Sequence, residues 1–293
     1  MKLEVISHEP AGEARPTPIL FVHGAYGGAW VWERHFLPYF ADHGYSAHAL
    51  SLRGHGASEG WEQLPFARLR HYVDDLTEVA RAMRAPPVLV GHSMGGMVVQ
   101  KYLHAHPVPA AVLLASVPPH GMVGTVFGMA FASPGLFGEM AMLQMFGPRV
   151  ANGASVRRAL FSEDTPDEII RHCMPRMQAE STMVILDLMG LDLPPPTPAV
   201  SCPVLVLGAE KDAFVYRGAL EATARSYGTT PEVFPGMAHA MMLDVGWQRV
   251  ADRMLEWLDE RLPGASARQP PPARRSAPRS RSRRRADGAQ TPT

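Results

Sequence analysis

The sequence predicts an α/β domain with a parallel sheet, interrupted once by a helical insertion. Three observations carry this. Short apolar runs alternate with longer helical patterns between residues 19 and 118. The alternation stops over residues 120 to 198, where nine of the chain's 17 methionines fall and no strand pattern is evident. It resumes at Pro203 and continues to Leu262.

The elements follow in order. Ile19-Leu20-Phe21-Val22 is an uninterrupted apolar run, the mark of a strand covered on both faces. Val31 to Ala41 has a helical pattern, with Pro38 as the expected kink. Tyr45 to Leu52 is strand-like and ends at Arg53-Gly54-His55-Gly56. Phe66 to Met83 carries helical spacing at Leu69, Tyr72, Val73, Leu76, Val79 and Ala80, and Pro86-Pro87 stops it. Val88-Leu89-Val90 is a second buried strand, Met94 to His106 a helix ended by Pro107, and Ala110 to Val117 a third apolar strand. Beyond the insertion, Pro203 to Gly208 is a strand, Arg217 to Tyr227 a helix and Glu232 to Phe234 a short strand. Trp247 to Leu262 is amphipathic, with Val250, Met254, Leu255, Leu258 and Leu262 on one side. The expected organisation is 1–119 as the first part of the core, 120–198 as the insertion, 199–262 as the second part of the core, and 263–293 as a tail. Pro194 to Pro198 is a stiff connector back from the insertion.

Composition bounds the function. The 28 Lys and Arg balance the 28 Asp and Glu, but unevenly. From Pro263 onward there are eight arginines, no lysine and one acid, a charge of +7, which leaves Met1 to Leu262 at −7. The tail's Arg, Pro and Ser content predicts disorder, and a solvated appendage is the simplest reading of it; nucleic acid is not a required partner. A hydrophobic fraction of 46% excludes a wholly disordered chain. The first eight residues carry no apolar run of signal-peptide type, and no long uncharged apolar run without breakers occurs, so no transmembrane segment is expected. Cys173 and Cys202 form neither a disulfide framework nor a C-x-x-C pair, which points to a reducing cytoplasm.

The chemistry concentrates in one turn. Gly91-His92-Ser93-Met94-Gly95-Gly96 lies between a strand pattern and a helix pattern, the context in which G-x-S-x-G acts as a nucleophile elbow. A sharp strand-to-helix turn holds Ser93 in a strained conformation, and glycines at 91 and 95 relieve the crowding beside it. The turn also places the Met94 N–H at a helix start, where free N–H groups favour negative charge.

A serine hydroxyl needs a base and a group to orient that base. Five of the 13 histidines follow Ser93. His104 and His106 sit at a helix end, and His120 and His172 in or beside the insertion. His239 follows the last strand pattern, in a loop where α/β folds build their sites, and is the expected base. The orienting acid should follow the strand at 204–207. Asp212 is preferred there, with Glu210 as the fallback; Asp187, Asp192 and Asp244 fit less well. The Ala25 N–H in His23-Gly24-Ala25-Tyr26-Gly27-Gly28, after the first strand, is expected to pair with that of Met94 as an oxyanion hole.

These motifs, with Arg53-Gly54-His55-Gly56-Ala57-Ser58, stand in the order and approximate spacing of the α/β-hydrolase family, which the chain resembles over roughly residues 18 to 262. The resemblance implies a mostly parallel eight-stranded sheet flanked by helices, a helical cap at 120–198, a Ser93–Asp212–His239 triad and support for Ala25 and Met94 as oxyanion donors. Ser93 stands where epoxide-opening and dehalogenating members carry aspartate, which argues against those activities. Ser51 departs from the acid that many members carry before the Arg-Gly-His-Gly turn. The implied activity is hydrolysis of small to medium apolar carboxylic esters through an acyl-enzyme, with no metal or organic cofactor. From Met122 to Phe146 the only formal charge is Glu139, which suits either an apolar acyl pocket or a cap packed on the core. Lactone opening, C–C bond hydrolysis and perhydrolysis use the same triad, and a small-molecule receptor reuses the fold. A homo-oligomer is left open.

Overall fold

The computed structural model describes residues 1–195 and 200–262. The tail at 263–293 and residues 196 to 199 of the proline connector lie outside the described residues. Among the described residues seven strands form one sheet: β1 Glu4–His8, β2 Ile19–Val22, β3 Ala47–Ser51, β4 Val88–His92, β5 Ala111–Leu114, β6 Val204–Ala209 and β7 Glu232–Phe234. Their spatial order is β1-β3-β2-β4-β5-β6-β7. Only β1 runs antiparallel, pairing Glu4 with Ser51 through His8 with Ala47. All other pairs are parallel.

The eight strands implied by the family resemblance are thus seven among the described residues. The stretch between β1 and β2 holds Pro10, Pro16 and Pro18 and forms no strand, because proline withholds the N–H a ladder needs. β1 forms the edge of the sheet and pairs with β3. β1 itself escapes a sequence reading: it is a half-buried edge strand with Val5 facing solvent, so it lacks an apolar face to reveal it.

Alternate residues of the central strands feed two cores. Phe21, Ala49, Val90, Val112 and Leu207 face one side, and Leu20, Leu50, Leu89, Leu113 and Val206 the other. Helices α1 Trp30–Glu33 and α2 Phe36–Asp42 cover the first side. α3 Leu69–Ala82 and α4 Met94–Leu103 cover the second. The expected single helix over 31–41 is split between α1 and α2 at His35, whose φ of −128° is not helical. Pro38 lies inside α2; its ring excludes the carbonyl of Arg34, so the break falls one turn upstream of the proline rather than at it.

Between β5 and β6 the described chain is helical: α5 Val123–Ala132, α6 Pro134–Phe146, α7 Gly153–Leu160, α8 Asp167–Cys173 and α9 Thr182–Leu186, with short 3-10 and π turns. Pro134 is well placed at the head of α6, since the N–H it lacks would have no intrahelical acceptor there. α10 Arg217–Ser226 and α11 Trp247–Arg261 complete the fold, packing on the second and first side respectively. Among the described residues no helix is long and apolar enough to cross a membrane.

Candidate active site

Ser93 sits between the end of β4 and the start of α4, at φ 52° and ψ −118°. That left-handed conformation costs a residue with a side chain about 1–3 kcal/mol. Neighbouring backbone holds it there: Ser93 N–H donates to Leu114 O at 3.1 Å, and Ser93 O accepts from Gly96 N and Val117 N at 3.0 and 3.1 Å. Small residues make the turn possible. A Cβ on Gly91 would lie 2.5 Å from Gly95 O, and one on Gly95 would collide with the carbonyl oxygens of Val22 and His23.

His239 is 4% exposed. Its Nδ1 lies 2.8 Å from Asp212 Oδ2 and 3.0 Å from Oδ1. Because a carboxylate only accepts, Nδ1 carries the proton and Nε2 is left with a lone pair. Asp212 Oδ1 also accepts the N–H groups of Phe214 and Val215 at 2.8 and 2.9 Å. The Phe214 ring packs edge-on against the imidazole at 4.9 Å.

Ser93, His239, Ala25 and Met94 all line one cavity of about 730 Å³. Neither the Ala25 nor the Met94 N–H has an acceptor among the described residues, and Ser93 Oγ has no hydrogen-bond partner there. Two free donors thus border the same space as an unpaired hydroxyl and an oriented imidazole. Met122, Met129, Phe137 and Met189, from the segment between β5 and β6, make much of the apolar wall. Other apolar side chains of this segment face solvent instead, with Phe131 86% and Met145 73% exposed, so lining a pocket and packing on the core account for only part of it.

The alternatives that the sequence offers lie elsewhere. His104 and His106 are half-buried and border a separate cavity of about 200 Å³. His120 and His172 are exposed. Glu210 is exposed and accepts the Gly236 N–H at 2.8 Å, tying the acid loop to the histidine loop. Buried Asp187 grips Arg68 and the Leu69 N–H at the start of α3. Asp192 pairs with Lys101.

Three further structural roles emerge from the fold. His92 Nε2–H donates to His239 O at 3.0 Å, which ties the Ser93 turn to the backbone of the His239 loop. Burial, with His239 beside it, pushes the His92 pKa well below 6.5, so it stays a neutral donor. Asp244, fully buried, accepts Ala238 N at 3.1 Å, Ser162 Oγ at 2.6 Å and Thr165 Oγ1 at 3.0 Å, pinning the His239 loop to the insertion. Glu180 and His55, both buried, meet at 3.3 Å, and the His55 ring lies 5.1 Å from that of His23. Burial alone would lower the His55 pKa, but the Glu180 carboxylate outweighs it and the net shift is upward. Burial would raise Glu180, yet His55, Tyr72 O–H and the Ser181 N–H hold it below 4.5. A signal for His92 exists, since it lies inside the elbow motif; Asp244 and Glu180 are joined to their partners only through the fold.

An elbow serine, a carboxylate-anchored histidine and a loop of free N–H groups at the carboxyl ends of a mainly parallel sheet define a class of α/β enzyme scaffold. The chain belongs to the alpha/beta hydrolase family, whose model matches residues 19–253. It is 25% identical over 236 residues to a monoacylglycerol lipase of Mycolicibacterium smegmatis, covering 78% of this chain and 83% of that protein. It is 35% identical over 118 residues to a non-heme chloroperoxidase of Streptomyces lividans, covering 39% of this chain and 42% of that one. Among solved structures it shares its fold with a monoacylglycerol lipase from Paleococcus ferrophilus, at a TM-score of 0.66 and 17% identity over 89% of this chain and all of that one. A thermophilic esterase from Thermogutta terrifontis superposes with a TM-score of 0.63 at 21% identity, over 88% of this chain and 94% of that one.

Proposed function

We propose that the protein is a serine hydrolase that cleaves carboxylic esters of small to medium apolar substrates through an acyl-enzyme intermediate. The observation that carries this reading is the carboxylate-anchored His239 in the cavity that Ser93 and two unpaired N–H groups also line. In the proposed mechanism His239 Nε2 takes the Ser93 proton as Oγ attacks the ester carbonyl. Asp212 keeps the imidazole oriented and stabilises its cation, while the Ala25 and Met94 N–H groups receive the oxyanion. The imidazolium then protonates the leaving alcohol, and a water activated by the same histidine releases the acid.

Residues 120–198 are read as the cap that supplies the acyl pocket. Its methionine-rich wall adapts to varied apolar chains, and relatives named as lipase and esterase support an ester as the scissile group. The charge of −7 on the body disfavours strongly anionic substrates. Turnover of p-nitrophenyl esters by the wild type and by Ser93→Ala tests the reading: equal rates in the two proteins would refute it.

The chloroperoxidase relative supports a second reading, perhydrolysis. Here hydrogen peroxide replaces water in attacking the acyl-enzyme, giving a peroxycarboxylic acid and free Ser93. Titrating peracid formed from an ester in the presence of peroxide separates the two.

A further inference from the structure

The Ala25 loop is held from two sides, and the second hold comes from the insertion. Upstream, the Leu52 N–H donates to His23 Nε2 at 3.0 Å, so the His23 proton sits on Nδ1 and donates to Gly24 O at 2.8 Å. Burial, then the neighbouring His55, lowers the His23 pKa to about 3, which keeps this tautomer neutral. Downstream lies Tyr26, a residue with a side chain in the left-handed region, at φ 61°. Its neighbours in the turn, Gly24, Ala25 and Gly27, offer no bulk to hold such a conformation.

The turn closes on itself through the Gly27 N–H to Gly24 O at 3.3 Å, and the segment between β5 and β6 adds the side-chain hold. Tyr26 O–H donates to Gln144 Oε1 at 2.5 Å, and Tyr26 O accepts the Gln178 N–H at 3.0 Å. Burial, with Glu180 nearby, raises the Tyr26 pKa, so the phenol remains a donor. Gln144 is anchored in turn, its Nε2 donating to Thr182 Oγ1 at 3.2 Å. Gln178 Oε1 accepts the Gly56 N–H, which links the same strap to the Arg-Gly-His-Gly turn. Tyr26 and Gln144 both stand in the wall of the cavity that Ser93 lines.

We propose that Tyr26 is a positioning residue for the Ala25 oxyanion donor, and that Gln144 on α6 holds it, so that the oxyanion loop is set only when the insertion is seated. This rests on the serine-hydrolase reading above. A glycine would relieve the backbone strain at position 26 but would forfeit the hydroxyl that ties the loop to α6. The pair therefore couples the acyl-binding wall to the donor that acts in the transition state, and its loss acts on kcat rather than on ground-state binding.

The test compares Tyr26→Phe, Gln144→Leu and the double variant with p-nitrophenyl butyrate as substrate. Removing a whole oxyanion donor costs about 10²–10³ in rate, so a displaced one is expected to cost about 10-fold in kcat with KM unchanged. The double variant should be no slower than either single one, because both remove the same contact. An alkylboronic acid, which mimics the tetrahedral oxyanion, should lose affinity by the same factor. Unchanged kcat, a loss confined to KM, or losses that multiply in the double variant would overturn the proposal. If Tyr26→Phe does not fold, Gln144→Leu carries the same comparison. Wild-type turnover that does not depend on Ser93 would overturn the underlying reading and the proposal with it. Ser93-dependent turnover with unaffected Tyr26→Phe would overturn the proposal alone.

Discussion

Asp212 receives the His239 Nδ1–H on both carboxylate oxygens, at 2.8 and 3.0 Å, while two backbone N–H groups fix Oδ1 in place. The carboxylate is thus held as a pure acceptor, and the tautomer of His239 follows from it. Asp212→Asn would present a donor to Nδ1 and favour the tautomer with its proton on Nε2, which cannot accept from Ser93. The expected result is a fall of about 10⁴ in kcat with the fold retained. Ester turnover measured beside a circular dichroism melt checks it; a loss below about tenfold would contradict the assigned role.

Asp244 is the acid that the sequence ranks low, and it makes no hydrogen bond to the imidazole. It gathers donors from Ser162, Thr165, Ala238 and Val245 instead. Asp244→Ala leaves these buried donors without an acceptor, at a cost of about 3 kcal/mol or more. Urea unfolding should show that loss, and kcat should fall because Ala238 precedes His239. Asp244→Ala with wild-type stability would contradict the role.

The buried His55–Glu180 pair makes stability depend on pH. The His55 pKa is raised above 6.5 in the fold, so its contribution is full below 6.5 and is lost as pH rises through the folded value. The Glu180 pKa is lowered below 4.5, so its contribution is full above 4.5 and is lost as pH falls through the folded value. Both are therefore full between 4.5 and 6.5. His55→Gln is expected to cost about 3 kcal/mol there, and less at alkaline pH, where the wild-type imidazole is itself neutral. Unfolding free energies of both proteins across pH check this; a difference that grows at alkaline pH would contradict it.

The parts of the site that sequence carries are the ones built from contiguous residues. The elbow, the Gly-rich loop and the acid loop each follow an apolar strand and the histidine loop a short strand, and β2, β4, β6 and β7 lie where their patterns place them. What sequence cannot carry is pairing across the fold. Tyr26 and Gln144 are 118 residues apart and His92 and His239 147 apart, and no local pattern links either pair. β1 is hidden because an exposed edge needs no apolar face, and the α1–α2 break because a proline's clash acts on the preceding turn.

The central claim is that Ser93 is the nucleophile. Intact-mass analysis and peptide mapping after treatment with a fluorophosphonate test it most directly. One adduct on the peptide containing Ser93, absent from Ser93→Ala and formed in step with loss of ester turnover, is the expected result. An adduct on another residue, or full turnover in a protein whose Ser93 is blocked, would contradict it.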